Sequence, residues 1–288
     1  MIYKSMEKKV IKIIDQAFGH ELYCGHKIGR NESKNIIWDR SRQINKNDIV
    51  LFTDSCLSFI DSIKVPCKKV AWLIEPPAVQ SSNYSYITNN WHKFDLILTH
   101  QEELLSLSEK FKISPMWYSM VFPEKQKIYT KDKTLSIIAS NKKDTVGQKL
   151  RHDVIKAIRN KIDIDLFGGL TSHGGYNPIE DKSEGLSPYM FSLIIENAKS
   201  PHYFSEKIVD CLLCGTIPIY WGADKIGNYF NENGFIKFNT IEELENILPT
   251  LNAQTYNDML PFVKENFEIA SKFTTVEDYI YENFLKNI

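Results

Sequence analysis

The stretch FSLIIENAKSPHYFSEKIVDCLLCGTIPIYWG, residues 191–222, decides the fold. Its first part, FSLIIEN (191–197), is an apolar run that reads as a strand ending in Glu196 and Asn197. After a loop, Ser205, Glu206 and Lys207 open an amphipathic helix with Ser205 as its N-cap. Ile208, Val209, Leu212 and Leu213 recur at the spacing of one buried helix face. IPIYWG (217–222) follows as a second strand. Strand, helix, strand in that order is the repeating unit of a parallel α/β sheet.

The alternation continues outward from this window. LSIIAS (135–140) reads as a strand, QKLRHDVIKAI (148–158) as a helix, IDLFGG (164–169) as a strand closed by glycines, and FIKF (235–238) as a last strand. Nearer the N-terminus, VIKII (10–14), DIVLF (48–52), KVAWLI (69–74) and DLILTH (95–100) read as strands. Helices are expected around Tyr84–Trp91 and over QEELLSLSEKF (101–111). The lysine-rich PEKQKIYTKDK (123–133) breaks the pattern and reads as a linker. The expected organisation is a first domain over 1–125, a second over 134–270, and a C-terminal helix over 271–288 packing back on the first. Two doubly wound, Rossmann-like α/β domains facing a cleft make the GT-B architecture of nucleotide-sugar glycosyltransferases, some epimerases and phosphorylases. Ligand is expected at the carboxyl ends of the strands. Fold alone does not choose among these functions.

Composition narrows the field. Hydrophobic residues make up 43% and charged residues 25% of the 288, ordinary values for a globular chain. The formal net charge of −1 offers no basic field for a nucleic-acid partner. The longest unbroken apolar run, Val70 to Ile74, is far short of the roughly 20 residues a membrane helix needs. No signal peptide is read in the first residues, so a cytoplasmic protein without a transmembrane segment is expected. Five cysteines show no disulfide framework; Cys211 and Cys214 share a helix face as small core residues, against a metal or redox C-x-x-C. Neither a G-x-G-x-x-G nor a P-loop occurs, and H-E-x-x-H and G-x-S-x-G are also missing.

The chemistry-bearing residues lie at strand ends. Lys207 adds a positive charge where a helix N-terminus already favours anions. Glu206 beside it suits sugar hydroxyls, or is a first-turn acid favoured by the helix dipole. Arg151 is one of only five arginines against thirty lysines, and its fork can hold two phosphate oxygens. It could equally be a solvated helix charge. KVAWLIEPP (69–77) delivers Glu75 from an apolar strand, as a general base or as an ordinary turn residue. Asp163 and Asp165 form a D-x-D that could hold a metal, and TSHGGYNP (171–178) carries a lone loop histidine, His173.

HYFSEKIVDCLLCGTIPIYWG (202–222), preceded by a strand ending in E-N, resembles the nucleotide-binding motif of the family 10 glycosyltransferases, the α-1,3/4-fucosyltransferases. ASNKKDTVGQKLRHDVIKAI (139–158) and IDLFGG resemble a second element of that family, and KVAWLIEPP matches it more loosely. The resemblance covers most of 70–238 and is strongest over 135–238. It departs from the family at IIENAKS, where C-F-E-N-[ST] is usual, and it lacks heptad repeats and a basic amphipathic tail. It implies a fucosyltransferase that moves fucose from a GDP-sugar donor to a glycan acceptor with inversion. Glu75 would be the base, and Arg151, Asn197, Tyr203, Glu206 and Lys207 would hold the donor. No metal cofactor would then be required, with Mn or Mg at most stimulating release of the diphosphate. A same-fold transferase using another nucleotide sugar, and a non-catalytic glycan- or nucleotide-binding module, stay open as rivals.

Overall fold

The computed structural model describes residues 7–16, 22–23, 31–169 and 179–288. The chain divides into two compact units, one formed by Met1–Tyr118 with Phe273–Ile288 and one by Ser119–Lys272. His173 lies outside the described residues.

The first unit is built on six parallel strands. They are β1 (Lys9–Ile14), β2 (Ile36–Asp39), β3 (Ile49–Thr53) and β4 (Lys68–Trp72), then, after helix α1 (Pro77–Asn90), β5 (Leu96–Thr99) and β6 (Phe111–Ile113). Their order across the sheet is β2-β1-β3-β4-β5-β6. Register is fixed by pairs such as Val50 with Lys12, Leu51 with Val70, and Val70 with Leu96. All five residues of β3 are buried, as expected of a strand covered on both faces. Val50, Phe52, Ala71, Ile87, Phe94 and Ile97 form the centre of this unit's core. After β1 the chain goes to β2 on one side and returns to β3 on the other, a topological switch point of the kind that binds ligands.

Residues 273–288 complete this unit. Within its short helix Val276–Ile280, Asp278 accepts from Ser33 Oγ at 2.7 Å and from the Lys34 amide at 2.9 Å. The neighbouring Glu277, fully buried, accepts from Trp38 Nε1 at 2.7 Å.

The second unit is a five-stranded parallel sheet. It comprises β7 (Lys133–Ala139), helix α2 (Val146–Ile158), β8 (Asp165–Gly168), β9 (Tyr189–Ile195), helix α3 (Glu206–Leu213), β10 (Ile217–Trp221) and β11 (Ile236–Lys237), followed by α4 (Ile241–Ile247) and α5 (Ala253–Ala270). The order β11-β10-β9-β7-β8 places its switch point between β7 and β9. Every residue of β9 and β10 is buried, and Leu135, Ile137, Phe191, Leu193, Ile217 and Ile219 lie at the middle of the core. Both units are Rossmann-like, and the α/β fold is of the GT-B type.

Four expectations are corrected. QEELLSLSEKF is not an amphipathic α-helix: a 3-10 turn covers only Glu102–Leu107, the chain extends at Ser108, and Phe111 enters the sheet as part of β6. Its helical spacing arose because Phe111 packs beside Ile97 in the sheet and not on a helix face. The stretch 123–133 is not a free linker, because it packs into the second unit. Lys131 Nζ there donates to the carbonyls of Ser187 (2.9 Å) and Cys214 (2.7 Å) and to Thr216 Oγ1 (2.8 Å). Burial pulls this ammonium down to about 8. The strand read over 164–169 is shorter, Asp165–Gly168, so Asp163 of the D-x-D stands exposed outside it. Ser205 is the N-cap residue of α3 by backbone conformation but makes no side-chain cap.

Candidate active site

The carboxyl end of β9 brings Arg151, Asn197, Glu206 and Lys207 near one buried carboxylate, with Tyr203 within electrostatic reach of Arg151. Glu196, the residue after β9, is fully buried. It accepts from the Ser205 amide at 3.0 Å and from Ser205 Oγ at 2.7 Å. That commitment explains why Ser205 does not cap its own helix. Lys207 Nζ lies 3.5 Å from Glu196 Oε2 and donates to Ser205 Oγ at 2.8 Å. Its third neighbour is Glu206 Oε1, at 3.7 Å. A buried carboxylate without such donors would cost several kcal/mol, about as much as a typical large core mutation.

Arg151 approaches the same strand end from α2. Capping fixes where that helix starts: Thr145 Oγ1 accepts from the Gln148 amide, and the Gln148 side chain accepts from the Thr145 amide. Arg151 therefore sits in the second helical turn and is only 6% exposed. Its Nε and Nη2 donate to the Ile195 carbonyl at 2.9 and 2.6 Å, and Nη2 also reaches Asn197 Oδ1 at 3.0 Å. Nη1 is the nitrogen these bonds leave over. Burial lowers the guanidinium from its ordinary value, opposed by the Glu196 carboxylate and by Tyr203 and Glu206. It stays charged, since arginine does not deprotonate in proteins. Tyr203 is itself buried, at 4% exposure.

Close approach of α2 to β9 requires glycine at 147. The Gly147 amide donates to the Asn197 carbonyl at 3.0 Å, and a Cβ there would stand 1.7 Å from the Glu196 carbonyl oxygen. Gly222 after β10 is similarly confined, with a Cβ position 2.8 Å from Glu196 Cγ.

Glu206 is paired with a residue that sequence reading passed over. Lys182 Nζ lies 2.9 Å from Glu206 Oε1 and 3.1 Å from Asp210 Oδ2, bridging two carboxylates one helical turn apart. Burial opposes the charge of Lys182, but the two carboxylates outweigh it and hold the ammonium above the usual lysine range. Burial raises the Asp210 carboxyl, which also accepts from Ser119 Oγ at 2.9 Å and the Met120 amide at 2.7 Å. A lysine in the irregular segment before β9 carries no periodic signal that could have marked it. Glu196 was visible as the strand's last acid, yet its role as the common acceptor depends on contacts nine and eleven residues away.

Glu75 belongs to the first unit. It stands three residues beyond β4, half-buried, and its carbonyl accepts from Tyr84 Oη at 2.7 Å. Elsewhere, Asp165 of the D-x-D pairs with Lys133 at 2.8 Å and accepts from Tyr189 Oη. Cys211 and Cys214 are buried free thiols raised above their ordinary range by burial. Among the described residues, no group of three or more His, Cys, Asp or Glu side chains is arranged to hold a metal. No helix of the described residues is long and apolar enough to cross a membrane.

Comparison with known proteins bears on this arrangement. The chain is 32% identical over 130 residues to the alpha-(1,3)-fucosyltransferase FucT of Helicobacter pylori, covering 43% of this chain and 26% of that protein. It is 27% identical over 157 residues to alpha-(1,3)-fucosyltransferase B of Drosophila melanogaster, covering 50% of this chain and 34% of that one. The chain thus spans only about a third or less of the length of these curated relatives. Its fold resembles a crystal structure of an alpha1,3-fucosyltransferase with GDP (TM-score 0.54, 20% identity, 87% of this chain and 82% of that one). It also resembles a trehalose-6-phosphate synthase (TM-score 0.60, 11% identity, 85% and 74%). Residues 128–287, which contain Arg151 and the whole Glu196 cluster, match the C-terminal domain of glycosyltransferase family 10 (fucosyltransferase), and the chain belongs to that family.

Proposed function

We propose that this chain is an inverting glycosyltransferase that moves fucose from GDP-fucose to a hydroxyl of a glycan acceptor. The observation that carries the reading is the meeting of Arg151, Asn197 and Lys207 at the end of β9 beside the buried Glu196, with Glu206 next to Lys207 and Tyr203 within electrostatic reach of Arg151, at the switch point of the second sheet. The names of the relatives support it: one is an alpha-(1,3)-fucosyltransferase, and solved structures of similar fold hold GDP or GDP-fucose.

In this reading the second unit holds the donor and the first unit presents the acceptor. Lys207 and the Nη1 edge of Arg151 face the diphosphate; Asn197, Tyr203 and Glu206 serve the nucleoside and sugar. Glu75 takes the proton of the acceptor hydroxyl as its oxygen attacks the anomeric carbon. The bond from that carbon to the diphosphate breaks, its electron pair leaves with GDP, and the configuration inverts. Fixed cations stabilise the growing charge, work done elsewhere by a metal. A divalent ion such as Mn or Mg is then stimulatory at most. General-base assistance is worth about 10²–10⁴-fold.

A panel of nucleotide sugars tested by thermal shift checks the donor. Ligand at 100 times its Kd stabilises by about 2.7 kcal/mol, so GDP-fucose should raise Tm by several degrees while UDP- and CMP-sugars leave it unchanged. Stabilisation by a UDP-sugar alone would replace the donor assignment. Glu75→Gln should keep GDP affinity and lose transfer by the factor above; a variant transferring at the wild-type rate would place the base elsewhere.

A further inference from the structure

The end of β4 is held by a buried polar frame that the reaction above does not use. Asp54, the first residue after β3, has a backbone φ of +37° and is 4% exposed. Left-handed backbone at a non-glycine residue is strained, and such strain persists where the surroundings over-determine it. Asp54 Oδ1 accepts from the Ile74 amide at 2.9 Å, and the Glu75 amide and Asn83 side chain also donate to this carboxyl. On the other side of Glu75, Tyr84 Oη donates to its carbonyl at 2.7 Å. His100, fully enclosed after β5, lies with Nε2 3.2 Å from Tyr84 Oη and Nδ1 2.9 Å from Gln101 Nε2. An amide nitrogen only donates, so Nδ1 accepts and Nε2 carries the proton offered to Tyr84. Three strand ends and α1 thus converge on the backbone that carries Glu75.

We propose that Asp54 is a positioning residue for Glu75: it fixes the turn at the end of β4 and, as a like charge beside the base, sets the proton affinity of the Glu75 carboxylate. The proposal rests on Glu75 being the general base. Burial, with the Glu75 charge adding to it, pushes the Asp54 carboxyl up to about 7, against its three hydrogen-bond donors. Among the described residues, the titratable groups facing Asp54 include Glu75 from the end of β4, Tyr84 from α1, and Cys56 from its own turn. Tyr84 is held protonated, because burial and the Asp54, Glu75 and Glu103 charges raise it above its ordinary value. Asp54 is therefore neutral in mildly acidic solution and becomes a second negative charge near neutrality. Its ionisation makes Glu75 a stronger base. For a coupling of about one unit, tenfold in proton affinity and followed in part by transfer rates, the gain is about three- to tenfold.

The test is a pH profile of GDP release from GDP-fucose, with a panel of oligosaccharides as acceptor probes, for wild type, Asp54→Asn and Glu75→Gln. Asparagine tolerates left-handed backbone and its carbonyl oxygen can still accept from the Ile74 amide. Asp54→Asn removes the charge together with one acceptor oxygen, so stability equal to wild type at about pH 5, where Asp54 is neutral, shows that the frame holds. Wild type should show a rise of kcat near neutral pH. Asp54→Asn should keep its KM for GDP-fucose, lose that rise, and turn over about three- to tenfold more slowly at pH 8. Glu75→Gln should be slower by about 10²–10⁴-fold at every pH. A superimposable Asp54→Asn profile beside an inactive Glu75→Gln overturns the proposal alone; Glu75→Gln at the wild-type rate removes the base assignment and the proposal with it. A readout independent of turnover is the pH at which stability falls as Asp54 ionises. This midpoint should move lower in Glu75→Gln, where the like charge is gone, and an unchanged midpoint overturns the coupling.

Discussion

Replacing Gly147 by alanine probes the donor site without touching any charged group. The new Cβ would lie 1.7 Å from the Glu196 carbonyl oxygen and 2.8 Å from its carbon, both backbone atoms that no rotamer change can move. Restoring an ordinary contact requires the start of α2 to retreat from β9 by about 1.5 Å, a displacement that packed interiors resist. The Gly147 amide bond to the Asn197 carbonyl, now 3.0 Å, and the Arg151 bonds to Ile195 and Asn197, now 2.6–3.0 Å, would pass beyond hydrogen-bonding range. Overpacking costs about 1–3 kcal/mol. One neutral and one charged hydrogen bond add roughly 1 and 1.5–3 kcal/mol, while alanine's better helix propensity returns at most about 1 kcal/mol. The expected loss is about 2.5–6 kcal/mol of stability, read by urea unfolding. GDP affinity should fall about tenfold or more, read by calorimetry at a temperature where the variant is folded. Gly169→Ala is the control, because its Cβ would meet nothing closer than 3.7 Å. A Gly147→Ala protein as stable as wild type, binding GDP equally well, would refute the account of how α2 and β9 build the site.

Further outcomes are expected. Arg151→Ala should weaken GDP binding by about 1.5–3 kcal/mol in calorimetry, and unchanged affinity would remove Arg151 from the donor site. Transfer should survive EDTA at least in part; complete loss restored by Mn²⁺ would show that Arg151 and Lys207 do not suffice for the diphosphate. Lys182→Ala leaves Glu206 and Asp210 facing each other, so urea unfolding should show a loss of about 3 kcal/mol, near the low end for breaking a buried pair because Asp210 can take a proton. Asp54, raised from 3.8 to about 7 in the folded state, contributes stability that is full below pH 4 and lost as the pH rises through 7. Wild type should therefore lose about 2–4 kcal/mol from this group between pH 4 and 8, a fall absent from Asp54→Asn.

Which features could be read from the sequence follows from how local their causes are. The central strands were legible because β3, β9 and β10 are buried on both faces and show as short apolar runs. The strands β2 and β6 were missed because neither is an unbroken buried run: burial alternates along β2, and only Phe111 of β6 is fully buried. Helix α5 was missed: Pro261 lies inside it, and its buried face includes the polar Asn266, which bonds both backbone groups of Asn231. At the site, the helix-opening Ser205-Glu206-Lys207 was visible as a local signal. The destination of each side chain was not. Ser205 turns to Glu196, Glu206 to Lys182, and Arg151 to the Ile195 carbonyl, all set by the approach of α2 and α3 to one strand end. Asp54 gave no sign at all, since its importance comes from Ile74, Asn83 and Glu75 meeting around it.

The first unit draws on both ends of the chain, and this orders events during synthesis. Residues 119–272 emerge from the ribosome complete, with every strand of the second sheet available, before Phe273–Ile288 exist. Until then Trp38 Nε1 and the Ser33–Asn35 turn lack the Glu277 and Asp278 carboxylates that bind them. Domains ordinarily fold as units in the order they are made. Here the N-terminal unit finishes last, its β1–β2 edge waiting as an unsealed surface through the translation of residues 119–272. During that interval the apolar and polar groups of this edge stay exposed to other chains, as in any folding intermediate.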